Sequence, residues 1–129
     1  MLKIGIDIDD TITATNNSKA FFSLITNLMR SFAKVYIITN RETDDLSRGR
    51  TEEELGKMNI HYDELVITAE KADFILKEGI SIYFDDTDEY FNTLPESVTV
   101  CKIREYGNFD FADNKWIYGD KTGKHWQSK

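Results

Sequence analysis

Apolar runs of strand length alternate with stretches of helical periodicity between residues 2 and 103. Leu2–Ile8 sets Leu2, Ile4, Ile6 and Ile8 in a run suited to a buried strand. Ser18–Phe32 carries Phe21, Leu24, Ile25, Leu28, Met29 and Phe32 at i, i+3, i+4, i+7 spacing, which predicts a helix with those residues on one face. Asn16, Asn17 and Ser18 are its N-cap candidates. Val35–Ile38 is a second strand, ending at Thr39-Asn40. Thr51-Glu-Glu-Glu54 reads as a capping box and predicts a short helix from Thr51 to about Met58. Leu65–Thr68 is a third strand, and Glu70–Glu78 a helix stopped by Gly79. Ile80–Phe84 is a fourth strand, Asp88–Leu94 a short helix closed by Pro95, and Val98–Ile103 a fifth strand.

This β-α-β-α order predicts an α/β fold, a three-layer α/β/α arrangement with a Rossmann-like, parallel five-stranded sheet. Such sheets bind ligands at the carboxyl ends of their strands. The polar residues fall there: Asp7, Asp9 and Asp10 after the first strand, Thr39 after the second, Asp85 and Asp86 after the fourth. Three separate segments thus bring chemistry to one edge. Residues 107–129 differ, with Phe109, Phe111, Trp116, Tyr118 and Trp126 among polar residues. Lys115–Tyr118 and Lys124–Trp126 flank Gly119-Asp-Lys-Thr-Gly123, which predicts a hairpin. The expected organisation is one α/β domain over 1–106 and an extension over 107–129, packed on the same domain or on a partner.

A length of 129 residues suits one domain, and 40% hydrophobic with 30% charged residues is ordinary for a globular protein. A net charge of −7 argues against unaided binding to nucleic acid or an anionic membrane. It leaves room for a phosphorylated substrate, because a local metal inverts the field. Cys101 is the single cysteine, so no intrachain disulfide forms, and its apolar run marks it as a structural thiol. With no signal peptide and no long apolar segment, a cytoplasmic location is expected. His61 and His125 lack partners at metal-ligand spacing and read as ordinary surface or loop residues.

Three carboxylates in Asp7-Ile-Asp9-Asp10 cost free energy unless something positive sits among them, and a divalent cation is the simplest remedy. A carboxylate nucleophile paired with a carboxyl acid–base can split a phosphate ester through an acyl-phosphate. Two residues apart on a strand, Asp7 and Asp9 would share a face. The Thr39 hydroxyl could donate to a phosphoryl oxygen, with Asn40 adding an amide. Lys71 and Lys77 compete as the cation that binds the phosphoryl group. The helix holding them runs antiparallel to the following strand, so Lys71 lies at the site edge and Lys77 roughly 9 Å away along the axis. Asp85 and Asp86 repeat the acidic strand end, with Asp85 the better direct ligand and Asp86 acting through water or hydrogen bonds. Arg41, Arg48 and Arg50 sit in a polar loop where they could meet substrate phosphate or remain solvated beside acids 42–45.

These segments, in this order, resemble the haloacid dehalogenase superfamily of phosphohydrolases. Its Asp-x-Asp-x-Thr motif is similar to Asp7-Ile-Asp9-Asp10-Thr11, its second motif to Thr39, its third to Lys71 and its fourth to Asp85-Asp86. The resemblance covers residues 1–104. It implies Asp7 as nucleophile, Asp9 as acid–base, and Mg2+ held by Asp7, the Asp9 backbone carbonyl and Asp85, with Asp86 nearby. Neither Thr13–Lys34 nor Arg41–Glu70 can hold a cap domain, so the chain looks like a capless member. It is loosely similar to small nucleotidase-like and polynucleotide-phosphatase-like members. The implied function is phosphomonoester hydrolysis, with Asn40 and Arg41 as substrate contacts and nucleic acid a partner only as a phosphorylated end. An open site also suits closure by a second subunit of a homo-oligomer. Two other classes share these ingredients. A phospho-acceptor signalling domain would carry its aspartate after the third strand and its lysine after the fifth, unlike this order. A catalytically silent phosphate-binding module would need a defect that the sequence does not display.

Overall fold

The first apolar run forms β1 (Leu2–Ile6), the middle strand of a five-stranded, all-parallel sheet. On one side lies β2 (Ala33–Thr39) and then β3 (Glu64–Ile67); on the other lie β4 (Ile82–Asp85) and β5 (Thr99–Lys102). The structure, a computed structural model, describes residues 1–103, 109–110, 113–119 and 125–127. The sheet is open and Rossmann-like, as the alternation of elements predicts. Register runs Ile4 opposite Val35 and Ile82, and Ile6 opposite Ile37 and Phe84. That pairing brings the carboxyl ends of β1, β2 and β4 side by side.

Strand alternation sorts the core onto two faces. Ile4, Ile6, Val35 and Ile37 join Phe22 of α1 (Asn16–Met29) and Leu55 of α2 (Asp45–Lys57) on one face. Tyr36, Ile38 and Tyr83 join Ile75 of α3 (Lys71–Glu78) on the other. Gly5 faces this second layer, where an added Cβ would lie 2.8 Å from Ile38 Cδ1 and 3.1 Å from Tyr83 Cδ1. Gly79 closes α3 at φ 76°, the left-handed conformation that ends helices and favours glycine.

Two helices depart from expectation. The α1 helix begins at Asn16, capped by Thr15, whose hydroxyl accepts from the Ser18 N–H at 3.0 Å. It buries Phe22 and Thr26 and packs Ile25 and Met29. Phe21, Leu24, Leu28 and Phe32 are instead 47–75% exposed. The helix is apolar on two adjoining stripes, and Thr26 can occupy the buried one because its hydroxyl donates to the Phe22 carbonyl at 2.6 Å. The α2 helix starts at Asp45 rather than Thr51, because Asp44 caps it by accepting from the Ser47 N–H at 2.9 Å. Thr51 is therefore interior and donates to the Ser47 carbonyl at 3.0 Å. Arg48 and Arg50 belong to this helix and not to a loop. The segment after β4 is one short turn of helix, Asp88–Phe91. Cys101 is half-buried.

Beyond β5, β6 (Phe109–Asp110) pairs antiparallel with β7 (Lys115–Gly119), which pairs antiparallel with β8 (His125–Gln127), with positions 118 and 126 as backbone register partners. The expected boundary near 106, Phe111 and the segment 120–124 lie outside the described residues. Among the described residues, no helix is long and apolar enough to cross a membrane.

Candidate functional site

The site is built where β1, β2 and β4 end. After β1, Asp7 continues extended and its N–H donates to the Phe84 carbonyl at 3.0 Å. Residues Ile8–Ile12 then form a wide turn in which Asp9 stays extended and Asp10 turns left-handed at φ 60°. The Asp10 N–H donates to Thr13 Oγ1 at 3.0 Å, which suits an ordering role in the turn. This turn, more than strand alternation, brings Asp7 and Asp9 to one hollow of about 260 Å³, which Thr39, Asn40, Lys71, Asp86, Thr87 and Tyr90 also line.

Three carboxylates meet at its base. Oxygens of Asp7, Asp85 and Asp86, all buried, lie within 4.8 Å of one another. The carboxylate of Asp9 is outside that trio. Lys71, 3% exposed, donates from Nζ to Asp7 Oδ1 at 2.8 Å and to Asp85 Oδ2 at 3.1 Å. It reaches them from the first turn of α3, whereas Lys77 is exposed near that helix's other end. Asp85 also accepts from the backbone N–H groups of Asp86 and Thr87, at 2.7 and 3.1 Å, and from the Tyr83 hydroxyl.

One ammonium does not neutralise this cluster. Burial, and then the charge of Asp85, push Asp7 up to about 6, although Lys71 pulls the other way. Burial, then Asp85 and Asp7, push Asp86 up to about 8. Burial alone would lower Lys71, but Asp7 and Asp85 outweigh it and the ammonium is held above its usual range. The Tyr83 hydroxyl is held above its usual range by burial and then by Asp85. Thr11 shows the same proton demand. Its Oγ1 lies 3.0 Å from Asp7 Oδ2 and 3.2 Å from Asp86 Oδ1. A threonine has one proton to give, so its hydroxyl can donate to only one of these two carboxylates at a time. Crowded hard oxygen donors short of positive charge are the chemistry of a divalent-cation site.

Thr39 completes the picture from β2. Its side chain is fully buried and its Oγ1 makes no hydrogen bond among the described residues. An unpaired buried hydroxyl costs free energy, here at the wall of the hollow beside Asp7 and Lys71. A ligand oxygen placed there would satisfy it.

Arg41 is already engaged. Its Nε and Nη2 grip both oxygens of Asp9, at 3.0 and 2.7 Å, and its Nη1 reaches Glu54 at 2.9 Å and Thr51 Oγ1 at 3.1 Å. The Asp9 bonds, and then those of Glu54 after the counter-effect of burial, hold the guanidinium above its usual range. Asn40 is exposed and lines the hollow. His61 stands apart from the Asp7, Asp85 and Asp86 cluster, with Nδ1 3.2 Å from Arg30 Nη2 and Nε2 3.7 Å from Asp63 Oδ1. The side chain of His125 is outside the described set.

Sequence reasoning missed three contacts. Tyr83 is two residues from Asp85 on one strand, a spacing that shares a face. Thr11 lay inside the motif but had no assigned partner. Tyr90 puts its ring 4.3 Å from Lys71 Nζ, and no sequence pattern signals that.

The fold and site together define an α/β, Rossmann-like protein with a buried three-aspartate cluster that could hold a metal ion. No family model and no curated protein matches the chain. Among solved structures, it is similar to a chain of the Pnkp1/Rnl/Hen1 RNA repair complex, with TM-score 0.60 and 18% identity over 81% of this chain and 43% of that one. A second structure of a Pnkp1/Rnl/Hen1 complex gives TM-score 0.58 and 17% identity over 93% of this chain and 47% of its own. Identities this low speak to fold alone. The chain spans less than half the length of either neighbour.

Proposed function

We propose that this chain is a Mg2+-dependent phosphomonoester hydrolase of the haloacid dehalogenase type, acting through an aspartyl-phosphate on Asp7. The observation that carries the reading is the buried Asp7–Lys71 pair beside Asp85 and Asp86, with the unpartnered Thr39 hydroxyl at the same wall. In the first step an Asp7 oxygen bonds to phosphorus while the bond to the leaving oxygen breaks, and Asp9 gives that oxygen a proton. In the second, Asp9 takes a proton from the water that attacks phosphorus, and inorganic phosphate leaves Asp7. Lys71 and Thr39 bind the phosphoryl oxygens. Arg41 orients Asp9 through its paired contacts and so acts as a positioning residue. Asp7, Asp85 and the Asp9 backbone carbonyl would hold Mg2+, with Asp86 adjoining; when bound, the ion offsets repulsion between the nucleophile and the phosphate.

The likeness to chains of RNA repair complexes supports including phosphorylated nucleic-acid ends among the substrates, alongside nucleotides. The test is hydrolysis of an aryl phosphate with Mg2+. Asp7→Asn is expected to lower turnover by about a thousandfold or more. Full activity in the purified variant would refute the mechanism.

A further inference from the structure

Two hollows flank the acids, and they differ in charge. On the α3 side the wall includes Glu70, Asp73, Leu76, Tyr90 and Lys71, whose ammonium is already bonded to Asp7 and Asp85. On the α2 side, a hollow of about 480 Å³ is lined by Asn40, Arg41, Glu42, Ser47, Arg50 and Thr51. Asn40 joins the α2 hollow to the acidic one, as Lys71 and Tyr90 join the α3 hollow to it.

The leaving group must depart past Asp9, the proposed proton donor. Asp9 is tied to α2 through Arg41, which bonds Asp9 on one side and Thr51 and Glu54 on the other. Asp9 thus adjoins the α2 hollow through Arg41, which lines it, and does not line the α3 hollow with Glu70 and Asp73. Two cations line that hollow. Arg41 has its donors occupied. Arg50 is exposed and makes no hydrogen bond or ion pair among the described residues, whereas its neighbour Arg48 bonds the Leu65 carbonyl at 2.9 Å. Glu42, also exposed on this wall, opposes an anion, so the guanidinium of Arg50 decides the preference.

We infer that the α2 hollow is a subsite for a second phosphate, and that the substrate is a phosphate ester whose leaving group itself carries a phosphoryl or phosphodiester anion, read by Arg50. The inference rests on the hydrolase reading for its direction, but binding tests it separately. A charge-assisted guanidinium–phosphate contact is worth about tenfold or more in affinity.

The experiment compares adenosine 3′,5′-bisphosphate with adenosine 3′- and 5′-monophosphate, by calorimetric binding and by phosphate release with Mg2+. The wild-type protein is expected to favour the bisphosphate about tenfold or more in both measures. In Arg50→Gln the ratio should fall towards one, Arg50→Lys should restore part of it, and Glu42→Gln should raise it. A dinucleotide bearing a terminal phosphate distinguishes a diester from a second monoester as the recognised anion. Equal binding of mono- and bisphosphates, or a ratio indifferent to Arg50, overturns the subsite even if hydrolysis is rapid. Arg50-dependent preference in binding without any turnover keeps the subsite and removes the hydrolase reading.

Discussion

Replacing Lys71 by Met removes the cation that, among the described residues, bonds Asp7 and Asp85, while nearly keeping its volume. The contacts are 2.8 and 3.1 Å, and Lys71 is 3% exposed. At an effective dielectric near 20, each is worth roughly 5–6 kcal/mol of attraction. Desolvation of three buried charges offsets most of that, and loss of one partner from a buried pair typically costs about 3–5 kcal/mol. The metal-free variant at pH 8 should therefore lose about 3 kcal/mol, or on the order of 10 °C in Tm. The loss must also depend on pH. Asp7 already titrates near 6, against 3.8 ordinarily. Its folded-state pKa is raised, so the folded state binds more protons than the unfolded chain, and metal-free stability falls as pH rises from about 4 to 6. Without Lys71 that window extends upward. Protonation then relieves the bare carboxylates in acid, and the gap between variant and wild type should shrink to about 1 kcal/mol or less at pH 5. Thermal melts in a chelating buffer at pH 5, 6.5 and 8 measure this. A Tm gap below about 3 °C at pH 8, or a gap equal at pH 5 and pH 8, would refute the electrostatic account.

Asp86→Asn should abolish a second pH dependence. Asp86 titrates near 8, so metal-free wild type loses up to about 1.4 kcal/mol per unit as pH rises towards that value. The variant should melt above wild type at pH 9 in chelator and gain less from added Mg2+. Arg41→Lys cannot reproduce the paired grip on Asp9; kcat should fall about 10–100-fold, while stability changes by less than about 1 kcal/mol because the pairs are partly exposed. Gly5→Ala forces a methyl against Ile38 and Tyr83 and should cost about 1–3 kcal/mol in chemical denaturation.

The sheet was legible because Ile4, Ile6 and Ile8, and Val35 to Ile38, are buried apolar runs without competing readings. The helices were harder. In α1 the residues Phe21, Leu24 and Leu28 carry a stronger apolar period than the stripe that is buried, and the bonds of Thr26, to the Phe22 carbonyl and from the His61 N–H, let the weaker-looking stripe win. In α2 just Thr51 and Leu55 are buried, so hydrophobic periodicity is nearly silent and the Asp44 cap is the usable signal. At the site, strand ends announced Asp7, Thr39 and Asp85, and helix polarity distinguished Lys71 from Lys77. The engagement of Arg41 with Asp9 joins residues 32 positions apart, through side-chain geometry that sequence spacing does not encode.

The central position of β1 has a consequence for synthesis. As the chain emerges from its amino end, β1 can pair with β2 once residue 39 is available, but its other edge stays bare until β4 arrives more than forty residues later. During that interval Ile4 and Ile6 border an open row of backbone donors and acceptors, an invitation to foreign strands. Asp7, Asp9 and Asp10 stand at the end of that edge, where like charge on every nascent copy discourages such pairing. Acids crowded together in the finished protein thus act earlier as gatekeepers of the incomplete sheet, and mutants neutral at all three should aggregate during expression before any defect in the folded state is felt.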